Sequence, residues 1–207
     1  MVESICNKLT LRIRKKMPDV DDERAEIINY GLQLAIGEIP KTFIILFVAW
    51  LAGVLDLTLI SILIITPYRA MVGGAHFKTH VKCVLATSIF YIGTALLSKY
   101  IVLSRMIRIM LTATIWIFAV IMISWYAPAD TEDVPILRKK ERKAKKIISY
   151  IIMTLMLTIS LIIKNSIISN IFLFGTLFQT ISITRVMYKI AQNKYGYEEY
   201  VRNKENI

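Results

Sequence analysis

The chain predicts an all-α, polytopic membrane protein, and three observations carry that reading. Of its 207 residues, 56% are hydrophobic, and the mean hydropathy is +0.55, more apolar than an ordinary soluble domain. Residues 109–129, 147–163 and 165–184 run without a charge, each for about the 17–25 residues that a helix needs to cross a bilayer; residues 83–98 form a shorter stretch of the same kind. Basic residues cluster beside these runs, at 12–16 and 138–146, where juxtamembrane charges set orientation and hold anionic headgroups. The net charge of +11 is therefore a membrane signature. Nucleic-acid binding is not expected, because no aromatic-rich polar face accompanies the basic residues. No segment is large enough for a separate soluble domain, so residues 1–207 read as a single integral membrane domain.

The elements follow in order. Residues 1–16 place Val2, Ile5, Cys6, Leu9 and Ile13 on one side and Lys8, Arg12, Arg14 and Lys15 on the other, an amphipathic helix suited to the membrane surface. Residues 17–22 break it. Asp21 and Asp22 suit the positive start of a second helix over 23–39, which Pro40 is expected to end or kink. Between Lys41 and Arg69 the only charge is Asp56. One crossing there would put either the basic N-terminus or the basic 138–146 stretch outside. Two short crossings turning at 53–56 keep both inside, as the positive-inside rule requires. Further spans are expected over 82–98, 106–126, 146–164 and 167–189. That makes six membrane helices, two of them short, with both termini and residues 68–82 cytoplasmic, and with residues 98–105 and 164–166 outside. No cleavable secretory signal is visible. The two cysteines give no disulfide framework, and a cytosol-facing thiol stays reduced.

Chemistry concentrates in one place. Both histidines, His76 and His80, and one cysteine, Cys83, fall within eight residues that follow Gly73 and Gly74. Imidazole and thiol are the side chains that most readily give a nucleophile near neutral pH. Cys83 heads an apolar run and so falls near a helix start, where a thiolate is favoured. On one continuous helix His76 and Cys83 would lie about 10.5 Å apart along the axis. His76 must therefore sit on a loop that folds back, which the glycines permit; His80 could reach Cys83 along the helix. Spacing leaves the choice of base open. A metal site from His76, His80 and Cys83 is a third option, with no fourth ligand evident, and an interfacial histidine beside a structural cysteine is the plain one. Arg69 could hold a carboxylate by a bidentate pair or anchor a headgroup. Cys6 reads as a small hydrophobe. Asp56 and Glu38 are candidates for a third catalytic group, and backbone N–H groups near Gly73 and Gly74, or at the following helix start, are candidates for an oxyanion site.

The pattern of Arg69, Gly73, Gly74, His76 and Cys83 resembles the signature of the accessory gene regulator B (AgrB) family. The stretch from Tyr126 through Pro128 and Asp130 to Thr131, followed by Pro135 and the basic residues, is a second match; Tyr30 to Gln33 is a weaker third. The resemblance covers nearly the whole chain. It implies a membrane-embedded cysteine endopeptidase of a Gram-positive quorum-sensing system, which removes the C-terminal tail of a small precursor peptide and aids its cyclisation to a thiolactone or lactone. It further implies His76 as base, Cys83 as nucleophile, and Arg69, Gly73 and Gly74 as substrate-binding or supporting positions; His80 matches no family catalytic residue. No metal or other cofactor is expected. Expected partners are a precursor with an acidic C-terminal tail, membrane lipids and a second copy of the chain, with the site at the cytoplasmic side of the cell membrane. The alternative is a non-enzymatic peptide exporter or scaffold. Exporters place polar groups within their spans, whereas the spans beyond residue 83 read as almost purely aliphatic, which favours the peptidase.

Overall fold

The computed structural model describes residues 2–17, 20–77, 79–132 and 135–205, without the side chains of 2–5, 23, 26, 27, 30, 33–35, 37, 38 and 80. Within it the chain is helical: α1 (Val2–Lys16), α2 (Asp22–Leu51), α3 (Leu55–Val72), α4 (His80–Tyr100), α5 (Arg105–Tyr126), α6 (Lys139–Ile162), α7 (Ser166–Ser182), α8 (Arg185–Ala191) and α9 (Gly196–Glu205). The polytopic all-α class expected from the sequence is what is found. Two compact units divide the chain, residues 1–48 and 49–207.

In the first unit, α1 buries Cys6 and Thr10, and the Thr10 hydroxyl donates back to the Cys6 carbonyl. Asn29 Nδ2 on α2 donates to Asn7 Oδ1, and Arg14 pairs with Asp22 at 2.8 Å. Pro40, expected to end or kink the second helix, does not end it, because α2 continues through it to Leu51. A proline removes one donor from the ladder, a loss that apolar membrane helices tolerate, and the apolar residues 39–51 extend the helix beyond it.

In the second unit, four helices are long and apolar enough to cross a bilayer: Leu55–Val72, the stretch Val81–Tyr100 of α4, Arg105–Tyr126 and Lys139–Ile162. α7 and α8 pass the same test only as a bent pair, which makes them a broken span or a re-entrant loop, and Ile39–Leu51, the later part of α2, is a shorter apolar helix. The turn expected at 53–56 exists: Gly53 has φ +65°, and the Val54 N–H reaches back to the Ala49 carbonyl. Its second arm is longer than expected, since α3 runs 18 residues, about 27 Å. The expected span over 167–189 is instead broken, with α8 turned 69° from α7. The Thr184 hydroxyl caps the new start by accepting from the Met187 N–H. The basic 138–146 residues mostly form the first turns of α6.

α7 is the hub, packed against α3, α4, α5 and α6. One end of the bundle is marked by Lys99 Nζ donating to the Gly53 carbonyl and by Asn170 Nδ2 donating to the Ile101 carbonyl. At the other end Gly73 pairs with Ala129, and Thr131 with Tyr195. The core includes Tyr68, Ile65, Ile123, Met153, Leu157 and Leu173, all fully buried. Large apolar side chains such as Leu63, Ile89, Met106, Ile117 and Leu155 face outward, an exposure that suits lipid and would be a liability in water.

Candidate active site

The loop between α3 and α4 is built around two strained glycines. Gly73 takes φ +80° and Gly74 φ +149°, regions that L side chains rarely adopt. A Cβ on Gly73 would collide with the carbonyl oxygen of Ala129, and one on Gly74 would lie 2.7 Å from Ser182 Oγ. These close approaches lay the chain against two neighbours at once. Four successive N–H groups are then taken up. Gly73 donates to the Arg69 carbonyl at 2.9 Å, Gly74 to the Ala129 carbonyl at 3.0 Å and Ala75 to the Ser182 carbonyl at 3.1 Å. His76 donates to Asn193 Oδ1 at 2.8 Å. The loop is pinned by the α5–α6 linker, the end of α7 and the α8–α9 turn. The oxyanion donors expected near Gly73 and Gly74 are consequently engaged within the protein.

Cys83 lies in the first turn of α4, its N–H bonded to the Thr79 carbonyl at 2.9 Å, and it is half-buried. His76, Cys83 and Arg69 line one cleft of about 70 Å³, walled by Phe77, Phe90 and Tyr91. Sequence spacing put His76 on a loop that folds back toward Cys83; His76 stands in the loop before α4 and lines the same cleft as Cys83. The side chain of His80 lies outside the described residues, as do those of Glu38, Tyr30 and Gln33. The other suggested third group, Asp56, stands in the first turn of α3, at the Gly53 end of the bundle, a helix length away from the cleft.

Arg69 is partly buried, and its Nη1 donates to Gln179 Oε1 at 3.3 Å. Gln179 is fully buried and its Nε2 donates to the Gly73 carbonyl at 2.7 Å. One carboxamide thus ties the guanidinium to the glycine turn. Sequence reasoning missed Gln179, Ser182, Tyr188, Asn193 and Tyr195. It also misjudged α7, which buries Ser169, Asn170, Thr176, Gln179, Thr180 and Ser182 and is far from purely aliphatic. A glutamine in an apolar run was the available signal, since a polar side chain in a membrane helix must find partners.

The second sequence motif is the bed on which the loop lies. The Ala129 N–H donates to the Val72 carbonyl at 2.9 Å. The buried Asp130 carboxylate accepts from Arg142 at 2.8 Å and from the Ile136 N–H at 2.8 Å. The guanidinium of Arg142 also covers the Tyr197 ring, 4.3 Å from its centroid. From below, the Tyr188 hydroxyl donates to the carbonyls of Ala129 and Asp130, at 2.8 and 3.1 Å. Tyr195 stacks between Tyr188 and Tyr126. Burial pushes the Tyr195 phenol well above its ordinary range, with Tyr126 beside it adding to the shift, so it stays a neutral donor to the Ile183 carbonyl at 2.7 Å.

The profile of the family described as accessory gene regulator B matches residues 6–183. The chain belongs to the accessory gene regulator B family. Similar curated proteins include an AgrB-like protein of Clostridium acetobutylicum, 25% identical over 203 residues that cover 98% of this chain and 95% of that one. An AgrB-like protein of Listeria innocua is 29% identical over 87% of each chain, and one of Clostridium perfringens is 26% identical over 78% of this chain and 77% of its own. No solved structure matches. Membership ties the protein to the accessory gene regulator system of quorum sensing, as a multi-pass membrane component. The region matched by the family ends at the break after α7, so α8 and α9 lie beyond it.

Proposed function

We propose that residues 1–207 form a membrane-embedded cysteine endopeptidase that cleaves the C-terminal tail from a quorum-sensing precursor peptide and aids closure of the product ring. The observation that carries this reading is the cleft that brings His76, Cys83 and Arg69 together at one end of the bundle. Cys83 Sγ attacks the scissile carbonyl while His76 accepts the thiol proton. His76 returns that proton to the leaving amine, and a thioester to Cys83 remains. A thiol or hydroxyl on the peptide then attacks the thioester, its proton passing through His76 to the departing Cys83. The result is a thiolactone or lactone and a regenerated enzyme. Exchange of one thioester for another needs no external energy beyond ring closure, provided water stays out, and the aromatic walls of the cleft favour that.

The cleft lies at the same end of the bundle as the basic start of α6. By the positive-inside rule that end is cytoplasmic, which suits a precursor made in the cytosol. The basic face then meets the acidic tail, and Arg69, which lines the cleft, meets the peptide beside the reacting carbonyl. The test is co-expression with a tagged precursor, following release of the C-terminal fragment. Cys83→Ala and His76→Ala are expected to abolish release, whereas Cys6→Ala and His80→Ala largely keep it. Normal release by Cys83→Ala at equal expression overturns the mechanism.

A further inference from the structure

Beyond α7, the turn between α8 and α9 reaches back into the cleft region through one side chain. Asn193 is nine-tenths buried and its Oδ1 accepts the His76 N–H at 2.8 Å. The orientation of this carboxamide follows from chemistry, because an N–H donor can be met only by the oxygen. Asn193 is itself held on several sides. Gln192 adopts a left-handed φ of 59° that ends α8, and the Asn193 N–H then donates to the Tyr188 carbonyl at 2.9 Å. Two residues on, Tyr195 pairs with Thr131 and lies flat on Tyr188, ring centroids 4.0 Å apart. A Cβ on Gly196 would collide with the Thr131 carbonyl. An arm this firmly docked fixes the position of the Asn193 oxygen.

We propose that Asn193 is a positioning residue that holds His76 in line with Cys83, making the α8–α9 arm a working part of the site. The neighbouring anchors of the loop hold Gly74 and Ala75. The Asn193 bond falls on the backbone of the histidine itself, where a change of backbone direction swings the imidazole. Misplacing a reacting group by about 1 Å costs on the order of 100-fold in rate, so a single well-fixed acceptor at this position has large leverage. The inference rests on the dyad reading above.

The experiment measures iodoacetamide alkylation of Cys83 against pH, using the full chain in lipid nanodiscs with Cys6→Ala as the parent. His76→Ala is expected to slow alkylation and shift its pH profile. Asn193→Leu keeps the bulk, lacks the acceptor, and is expected to move most of the way to the His76→Ala profile. Asn193→Asp keeps an acceptor oxygen and is expected to stay near the parent. Melting temperatures in detergent establish that each variant folds. An unchanged profile in His76→Ala overturns the dyad reading itself. A shifted His76→Ala profile with a parental Asn193→Leu profile overturns the role of Asn193 alone, as does an Asn193→Asp profile displaced as far as that of Asn193→Leu.

Discussion

Adding one methyl group at Gly73 should disable this protein without touching any reactive atom. Gly73→Ala forces a non-glycine residue to hold φ +80° and ψ −155°, a region almost reserved for glycine, which costs about 1–3 kcal/mol. Its Cβ would also meet the Ala129 carbonyl, with the carbonyl carbon only 2.8 Å away. Backbone cannot rotate aside as a side chain can. The pairing of Gly73 with Ala129 must part, losing the Gly74-to-Ala129 and Ala129-to-Val72 hydrogen bonds, each about 1 kcal/mol. Together that is about 3–5 kcal/mol, or about a hundred- to several-thousand-fold in the population with His76 in place, at about 1.36 kcal/mol per decade. Gly74→Ala should behave differently, because its obstacle is the Ser182 hydroxyl at 2.7 Å while Ser182 Cβ sits at an ordinary 3.6 Å. Removing that hydroxyl with Ser182→Ala should restore part of the activity that Gly74→Ala loses. Gly53→Ala is the control, with φ +65° and open space around it, and should cleave normally. The assay is release of the tagged C-terminal fragment in co-expressing cells, with expression matched by immunoblot. Wild-type cleavage by Gly73→Ala, or equal loss in Gly53→Ala, would refute the argument that this turn places the histidine.

Tyr188→Phe removes a donor to two carbonyls beneath the loop and should cost about 1–3 kcal/mol, read as a lower melting temperature in detergent with a parallel loss of cleavage. Arg69→Lys keeps the charge but loses the planar fork that meets Gln179, so cleavage in nanodiscs should fall clearly. Neutralising the precursor tail or raising salt should slow the wild type, since screening acts within about 8–10 Å. Rates indifferent to all three changes would leave Arg69 a headgroup anchor. Lys140→Cys in a Cys-less background should resist a membrane-impermeant thiol reagent on intact cells, and labelling from outside would reverse the orientation.

Apolar run length and charge placement were enough to fix the class, because a bilayer demands long uncharged helices and sorts basic residues to one side. The same reasoning found the turn at Gly53, where a glycine and a lone Asp56 interrupt an otherwise unbroken apolar stretch. It also singled out residues 69–83, since imidazole, thiol and paired glycines are conspicuous against an aliphatic background. What the sequence could not reveal is how the site is held. Pro40 looked like a helix end because its missing donor is visible locally, whereas the apolar residues that carry α2 onward are a property of the whole stretch. The expected span over 167–189 ran past the break after Ser182, although the uncharged run ends at Thr184; the bend exists where Thr184 caps a new helix and Tyr188 reaches the carbonyls of Ala129 and Asp130. Gln179 and Asn193 stand 110 and 117 residues from their partners Arg69 and His76. Local patterns along a chain report which backbone each segment adopts and which face it buries. Only the packing of α3, α7 and the α8–α9 arm decides which distant carboxamide meets the backbone N–H of His76.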